Sequence, residues 1–68
     1  MENNLTPEDK KSAALKCYME TQRQLEMGML LLLDINPMAE STKPYEQSKK
    51  IHLALRQLIG DISKMRVS

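Results

Sequence analysis

The sequence predicts an all-α protein: an antiparallel two-helix hairpin that forms a single domain over residues 1–68. Two long segments with apolar residues at helical spacing predict the helices, about residues 7–34 and about residues 44–65. A short segment with prolines near both ends, residues 35–43, separates them. The 68 residues leave room for one small domain only.

The first predicted helix begins at the segment Thr6-Pro7-Glu8-Asp9. Thr6 suits the N-cap, Pro7 suits the first helical position, and the two acidic residues favour the positive end of the helix dipole. The first proline after this segment is Pro37, and a proline disfavours helical backbone in the residue before it, Asn36. We therefore expect about 28 residues of helix, about 42 Å long at 1.5 Å per residue.

The connection between the helices, residues 35–43, has room for one extra helical turn. Pro44 suits the first turn of the second helix, with Thr42 or Lys43 at its N-cap. The second helix is therefore predicted to begin near Pro44 and to continue to about residue 65.

Each predicted helix has an apolar face when its residues are projected at 100° per residue. Both faces step by three and four residues, so two antiparallel helices can pack along them. The predicted hairpin core consists of Leu15, Tyr18, Leu25, Met29 and Leu32 from the first helix and Ile51, Leu55, Leu58 and Ile62 from the second.

The first helix also carries apolar residues that point away from this core: Met19, Met27, Leu30 and Leu31. A hairpin covers one face of each helix, yet Leu25–Leu33 is apolar nearly all round, which is typical of a helix buried on more than one side. We predict that these four residues bind a protein partner. A homodimer or homotetramer, or a helix phase different from the projection, would account for the same apolar excess.

The sequence offers no set of residues for catalysis or metal binding. Cys17 is the single cysteine and His52 the single histidine, and both fall outside the predicted core faces. A glycine-rich phosphate loop and a His/Cys zinc set are absent as well. We therefore expect a protein that is not an enzyme and needs no cofactor, with Cys17 and His52 exposed to solvent and without a functional role.

Charge is balanced overall but unevenly distributed along the chain. The net charge of +1 disfavours a dedicated nucleic-acid binder. Residues 1–42 carry four basic and seven acidic side chains, a net −3, whereas residues 43–68 carry six basic and two acidic, a net +4. Lys49, Lys50 and Arg56 form a small basic patch, interpreted as a solvated face or as a site for RNA or an acidic protein.

The start of the sequence is polar, and its longest apolar run is Met29–Leu33. Both features disfavour a secretory signal, and the run is far shorter than the roughly 20 residues that a membrane span needs. We therefore expect a cytoplasmic protein without a membrane span.

Several of these features together resemble a known protein family. They are Gln24-Leu25-Glu26-Met27, the leucine-rich end of the first helix, the proline-containing connection, and Tyr45-Glu46-Gln47 at the start of the second helix. Their order and length are similar to the small co-chaperone of the needle subunit in bacterial type III secretion systems. The resemblance covers about Thr21–Ile62.

The resemblance implies a cytoplasmic, non-enzymatic helical hairpin that takes part in protein transport and virulence. Members of this family pair with a larger chaperone built of tetratricopeptide-like helical repeats, and the pair keeps the needle subunit from polymerising before export. Met19, Met27, Leu30 and Leu31 would then bind the repeat chaperone. Two other functions stay open from the residues alone: a homo-oligomeric regulator or inhibitor that binds a protein or RNA, and a needle-like or rod-like export subunit.

Overall fold

A computed structural model of the chain describes residues 5–67. It contains helix α1 (Pro7–Ile35), a 3₁₀ helix (Pro37–Ser41) and helix α2 (Lys43–Lys64). Lys11, near the start of α1, contacts the end of α2, so the two long helices run antiparallel. The predicted all-α hairpin and the extra turn in its connection are confirmed.

The helix ends follow from local hydrogen bonds. At the start of α1 the Thr6 hydroxyl oxygen accepts from the Asp9 backbone N–H at 3.1 Å, and the Asp9 carboxylate accepts from the Thr6 N–H at 3.3 Å. This reciprocal pair is a capping box, which satisfies two backbone donors that helix geometry leaves free. At the other end, Asn36 leaves the helix with extended backbone, and its side-chain oxygen accepts from the Met38 N–H at 3.0 Å to start the 3₁₀ helix.

The hairpin is long and thin. Its radius of gyration is 15.9 Å and its dimensions are 48 × 26 × 11 Å, whereas a compact chain of this length would have a radius of gyration of about 11 Å. The shortest dimension is close to the diameter of one helix with its side chains, about 10 Å. The chain therefore forms a single layer of two helices.

Little of this layer is buried. Among the described residues only Ala39, at 5% exposure, and Leu55, at 9%, are buried. Ala39 belongs to the 3₁₀ helix at the closed end of the hairpin, and Leu55 lies in the middle of α2. Burial of apolar surface is the main source of folding free energy, so the hairpin alone has a small core.

The face of α1 that packs against α2 agrees largely with the prediction. Leu15, Leu25, Met29 and Leu32 are half-buried. Tyr18 is 38% exposed, so it lies at the edge of the interface and its assignment to the core was wrong.

The face of α2 that packs against α1 differs from the prediction. Leu55 and Ile62 are buried or half-buried as expected, but Ile51 is 56% exposed and Leu58 is 41% exposed. Their assignment to the hairpin core was therefore wrong. The inward line of α2 instead follows the helical spacing of residues that are all half-buried except the buried Leu55: Tyr45, Ser48, His52, Leu55, Ile59 and Ile62.

A lysine side chain bridges the two long helices at the open end of the hairpin. The Lys11 ammonium group donates to the backbone carbonyl oxygens of Ser63 at 3.0 Å and Met65 at 2.8 Å. These carbonyls lie at the end of α2, where helix geometry leaves acceptors free and where a cation is favoured by the helix dipole. Lys11 therefore both closes the hairpin and caps α2.

Candidate partner-binding surface

The four residues predicted to bind a partner are all exposed in the structure. Met19 is 57% exposed, Met27 is 52%, and Leu30 and Leu31 are each 60%. They lie outside the half-buried face of α1 that packs against α2. The hairpin therefore leaves this apolar surface open.

Three of these residues form one continuous patch. Met27, Leu30 and Leu31 are separated by three and four positions in an unbroken helix, and side chains at these spacings are neighbours on a helix surface. We call these three residues the outer α1 patch. Ile35, one turn beyond Leu31, is 80% exposed and extends the patch toward the end of the helix.

Met19 lies apart from the outer α1 patch. It is two turns closer to the start of α1, where it lines a surface depression together with Lys16, Glu20 and Arg23. A second depression beside Met19 is lined by Ser12, Ala13, Leu15 and Lys16, so the surroundings of Met19 combine charged and apolar side chains. The structure does not bring all four predicted residues into one apolar cluster.

Leu30 links the outer α1 patch to a groove between the two helices. The groove has a volume of about 320 Å³ and is lined by Glu26, Met29, Leu30, Tyr45 and His52. Its walls come from both helices, so an apolar side chain of a partner that covers Leu30 can also enter the groove. The patch and the groove together form one candidate binding surface, which contains three of the four predicted residues.

A polar contact between the helices lies beside this groove. The His52 Nε2 atom is 2.8 Å from a Glu26 carboxylate oxygen and 3.4 Å from the Gln22 amide nitrogen. Nε2 carries either one hydrogen or one lone pair, so it can satisfy one of these partners at a time, and Glu26 is the nearer. The His52 side chain is 22% exposed and the Glu26 side chain 50%.

His52 therefore has a structural position that the sequence did not predict. We expected it to be a solvated residue outside the helix interface, and this was wrong: it lies on the inward line of α2 and contacts α1. Ile51 and Leu58 lie outside this inward line and face solvent. Cys17 is exposed, as expected, and its thiol is free.

The exposed apolar surface also includes residues that the sequence interpretation did not select. Leu53 is 64% exposed and Met38 is 69% exposed. The exposure of Leu53 could have been predicted from the sequence, because its neighbours at helical spacing include the basic residues Lys49, Lys50 and Arg56. The exposure of Ile51 and Leu58 could not have been predicted in this way. Both belong to the same broad apolar arc of α2 as the buried Leu55, and the apolar pattern does not distinguish exposed from buried residues within it.

Within residues 5–67 the structure contains no helix long and apolar enough to cross a membrane. The same residues contain no group of three or more His, Cys, Asp or Glu side chains that could hold a metal ion.

The fold and the open apolar surface define a class: a two-helix layer with an uncovered apolar face. Compared with known protein families, with curated proteins and with solved structures, the chain matches none of them. The resemblance to the type III secretion co-chaperones therefore stays a prediction.

Proposed function

We propose that this chain is a non-enzymatic cytoplasmic chaperone of type III secretion. In this proposal it binds a larger helical-repeat chaperone, and the pair keeps the needle subunit soluble and unpolymerised before export. The observation that supports the proposal is the unfilled core: only two described residues are buried, while the outer α1 patch is an exposed apolar surface. A chain of this kind gains stability by covering that surface with another protein.

A helical-repeat protein suits the shape of this surface. Stacked helical repeats form an extended concave surface, and the outer α1 patch lies on the convex outer side of an unbroken helix. Binding of one helix in an apolar groove uses anchor residues at spacings of three and four positions, which is the spacing of Met27, Leu30 and Leu31. The unbranched, flexible side chain of Met27 fits an irregular groove better than a rigid one would.

The size of the expected effect follows from burial. Complete burial of one large apolar side chain contributes about 1.5–3 kcal/mol before the cost of association is subtracted. Leu30 and Leu31 are each 60% exposed, so they have more surface left to bury than Leu25 or Met29. These two leucines should therefore be the strongest anchors on the patch.

Calorimetry with the double variant Leu30→Ser/Leu31→Ser tests this proposal against a needle chaperone of the tetratricopeptide type. The wild-type chain should form a stable complex, and the double variant should lose it while its helix content, measured by circular dichroism, stays unchanged. Leu53→Ser is the matched control, because Leu53 is an equally exposed leucine, at 64%, on the other helix. Its complex should remain intact.

Two outcomes would contradict this proposal. Unchanged affinity of the double variant would remove the outer α1 patch from the interface. Absence of any complex with the wild-type chain would remove the repeat chaperone as the partner.

A second assay separates the chaperone function from its alternatives. A needle subunit alone should polymerise, as followed by light scattering, and should stay monomeric when both chaperones are present. Filaments formed by this chain itself would indicate an export subunit. A homo-oligomer that persists on dilution and does not bind the needle subunit would indicate a self-contained regulator.

A further inference from the structure

A second surface, on α2, combines one exposed leucine with three cations. In a helix, the surface neighbours of Leu53 are the residues three and four positions before and after it. Three of these four residues are basic, Lys49, Lys50 and Arg56, and the fourth is Gln57. We call Leu53 with these three cations the basic α2 patch.

The structure confirms that these residues share one surface. Leu53 lines two shallow depressions, one of about 230 Å³ with Lys49, Lys50 and Glu46, and one of about 500 Å³ with Arg56 and Gln57. Leu53 is 64% exposed, and the three basic residues are also exposed. The basic α2 patch is therefore an apolar projection with a hollow on either side and cations around it.

The cations of this patch have no acidic partners within the described part of the chain. The side-chain contact to a carboxylate found there joins His52 and Glu26, and the side-chain hydrogen bonds described for residues 5–67 do not involve Lys49, Lys50 or Arg56. Glu46 is the acidic residue at the edge of the patch. Unpaired cations of this density attract a negatively charged partner.

We propose that the basic α2 patch binds an acidic segment of a protein, one that carries apolar side chains flanked by Asp or Glu residues. The carboxylates pair with Lys49, Lys50 and Arg56, and the guanidinium group of Arg56 can hold a carboxylate through two parallel hydrogen bonds. The apolar side chains of the segment lie in the depressions beside Leu53. This binding is independent of the outer α1 patch.

The exposed side chain of Leu53 favours a protein over RNA as the partner of this patch. Pairing with phosphates needs only the cations, and bases that bind a protein surface stack on aromatic side chains. The chain has two tyrosines and no other aromatic residue, and the depressions beside Leu53 contain neither of them. An exposed leucine at the centre of the patch has apolar surface to bury, which a protein segment offers and a phosphate backbone does not.

Selection from a displayed library of random peptides on the immobilised full chain tests this proposal. Peptides that bind the wild-type chain but not the variant Lys49→Ala/Lys50→Ala/Arg56→Ala should be enriched in Asp and Glu around apolar residues. For one selected peptide, the affinity should fall at least about tenfold between low and high salt, because salt screens exposed charge pairs. Leu53→Ser should weaken the same peptide severalfold without loss of helix content.

Two control variants and one competing ligand complete the test. Leu30→Ser/Leu31→Ser should leave peptide affinity unchanged, and so should Lys16→Ala, which removes an exposed lysine from α1. Selected peptides without acidic enrichment would overturn the proposal. A single-stranded RNA oligonucleotide that binds through the three cations with equal affinity in wild-type and Leu53→Ser chains would also overturn it.

Discussion

Two leucines of α2 provide the sharpest test of how the hairpin packs. Leu55 is 9% exposed and Leu58 is 41% exposed, although both lie in the same apolar arc of the sequence. Leu→Ala substitution removes about three methylene equivalents, worth about 2.5 kcal/mol when fully buried. At Leu55 a cavity cost adds to this, so the free energy of unfolding should fall by about 3 kcal/mol.

The same substitution at Leu58 should cost much less. Much of this side chain is already in water, and its removal leaves no closed cavity, so we expect a loss of about 1–1.5 kcal/mol. A chain of this size rarely has more than about 3–5 kcal/mol of folding free energy. Leu55→Ala should therefore be left with about 0–2 kcal/mol and be partly unfolded at room temperature, whereas Leu58→Ala, left with about 1.5–4 kcal/mol, should stay folded.

Urea denaturation followed by circular dichroism measures both variants, at a concentration at which light scattering shows a monomer. A loss for Leu58→Ala equal to or larger than that for Leu55→Ala would refute the observed rotation of α2. It would mean that the face defined by apolar residues alone, which includes Ile51 and Leu58, packs against α1.

Three further predictions concern single residues of the hairpin. Lys11→Met should lower the free energy of unfolding by about 1 kcal/mol and speed amide hydrogen exchange in the last turn of α2. The control variant Lys10→Met should do neither. Equal amide exchange in both variants would show that the Lys11 contacts are not formed. Gly28→Ala and Gly60→Ala should each raise the melting temperature, since an added Cβ meets no other atom within 4 Å and alanine favours a helix by about 1 kcal/mol; a lower melting temperature would count against open space there. His52→Leu should leave stability unchanged or raise it, because its half-exposed polar partners can bond to water, and a marked loss in a urea titration would show that the polar contact stabilises the hairpin.

The helices and their ends could be predicted because their causes are local. The Thr6 and Asp9 side chains bond to backbone groups within the same turn, and the effect of Pro37 acts on the residue before it. The exposure of the outer α1 patch could also be predicted, since a helix that is apolar nearly all round cannot be covered by one neighbour. These conclusions need no knowledge of how the two helices meet.

The rotation of α2 could not be predicted from apolar residues because polar residues face α1. Ser48 and His52 lie on the inward line, and an interpretation that seeks the most apolar face moves that line toward Ile51 and Leu58. The contact between His52 and Glu26 joins residues 26 positions apart, so no local sequence pattern predicts it. The three cations of the basic α2 patch could be identified from the sequence, but the proposal that they bind a protein segment depends on the exposure of Leu53, which the structure shows.

The 11 Å thickness of the hairpin has a consequence for how its folding and its binding are related. In a layer one helix thick, no side chain is shielded by a second layer, so whatever covers one face supplies part of the missing interior. A partner that binds only the folded state then adds stability by mass action, about 2.7 kcal/mol when its free concentration is a hundred times the dissociation constant. That gain is comparable to the whole folding free energy of so small a chain. The amount of folded hairpin in a cell would follow the concentration of its partner, and excess chain would be left to proteases.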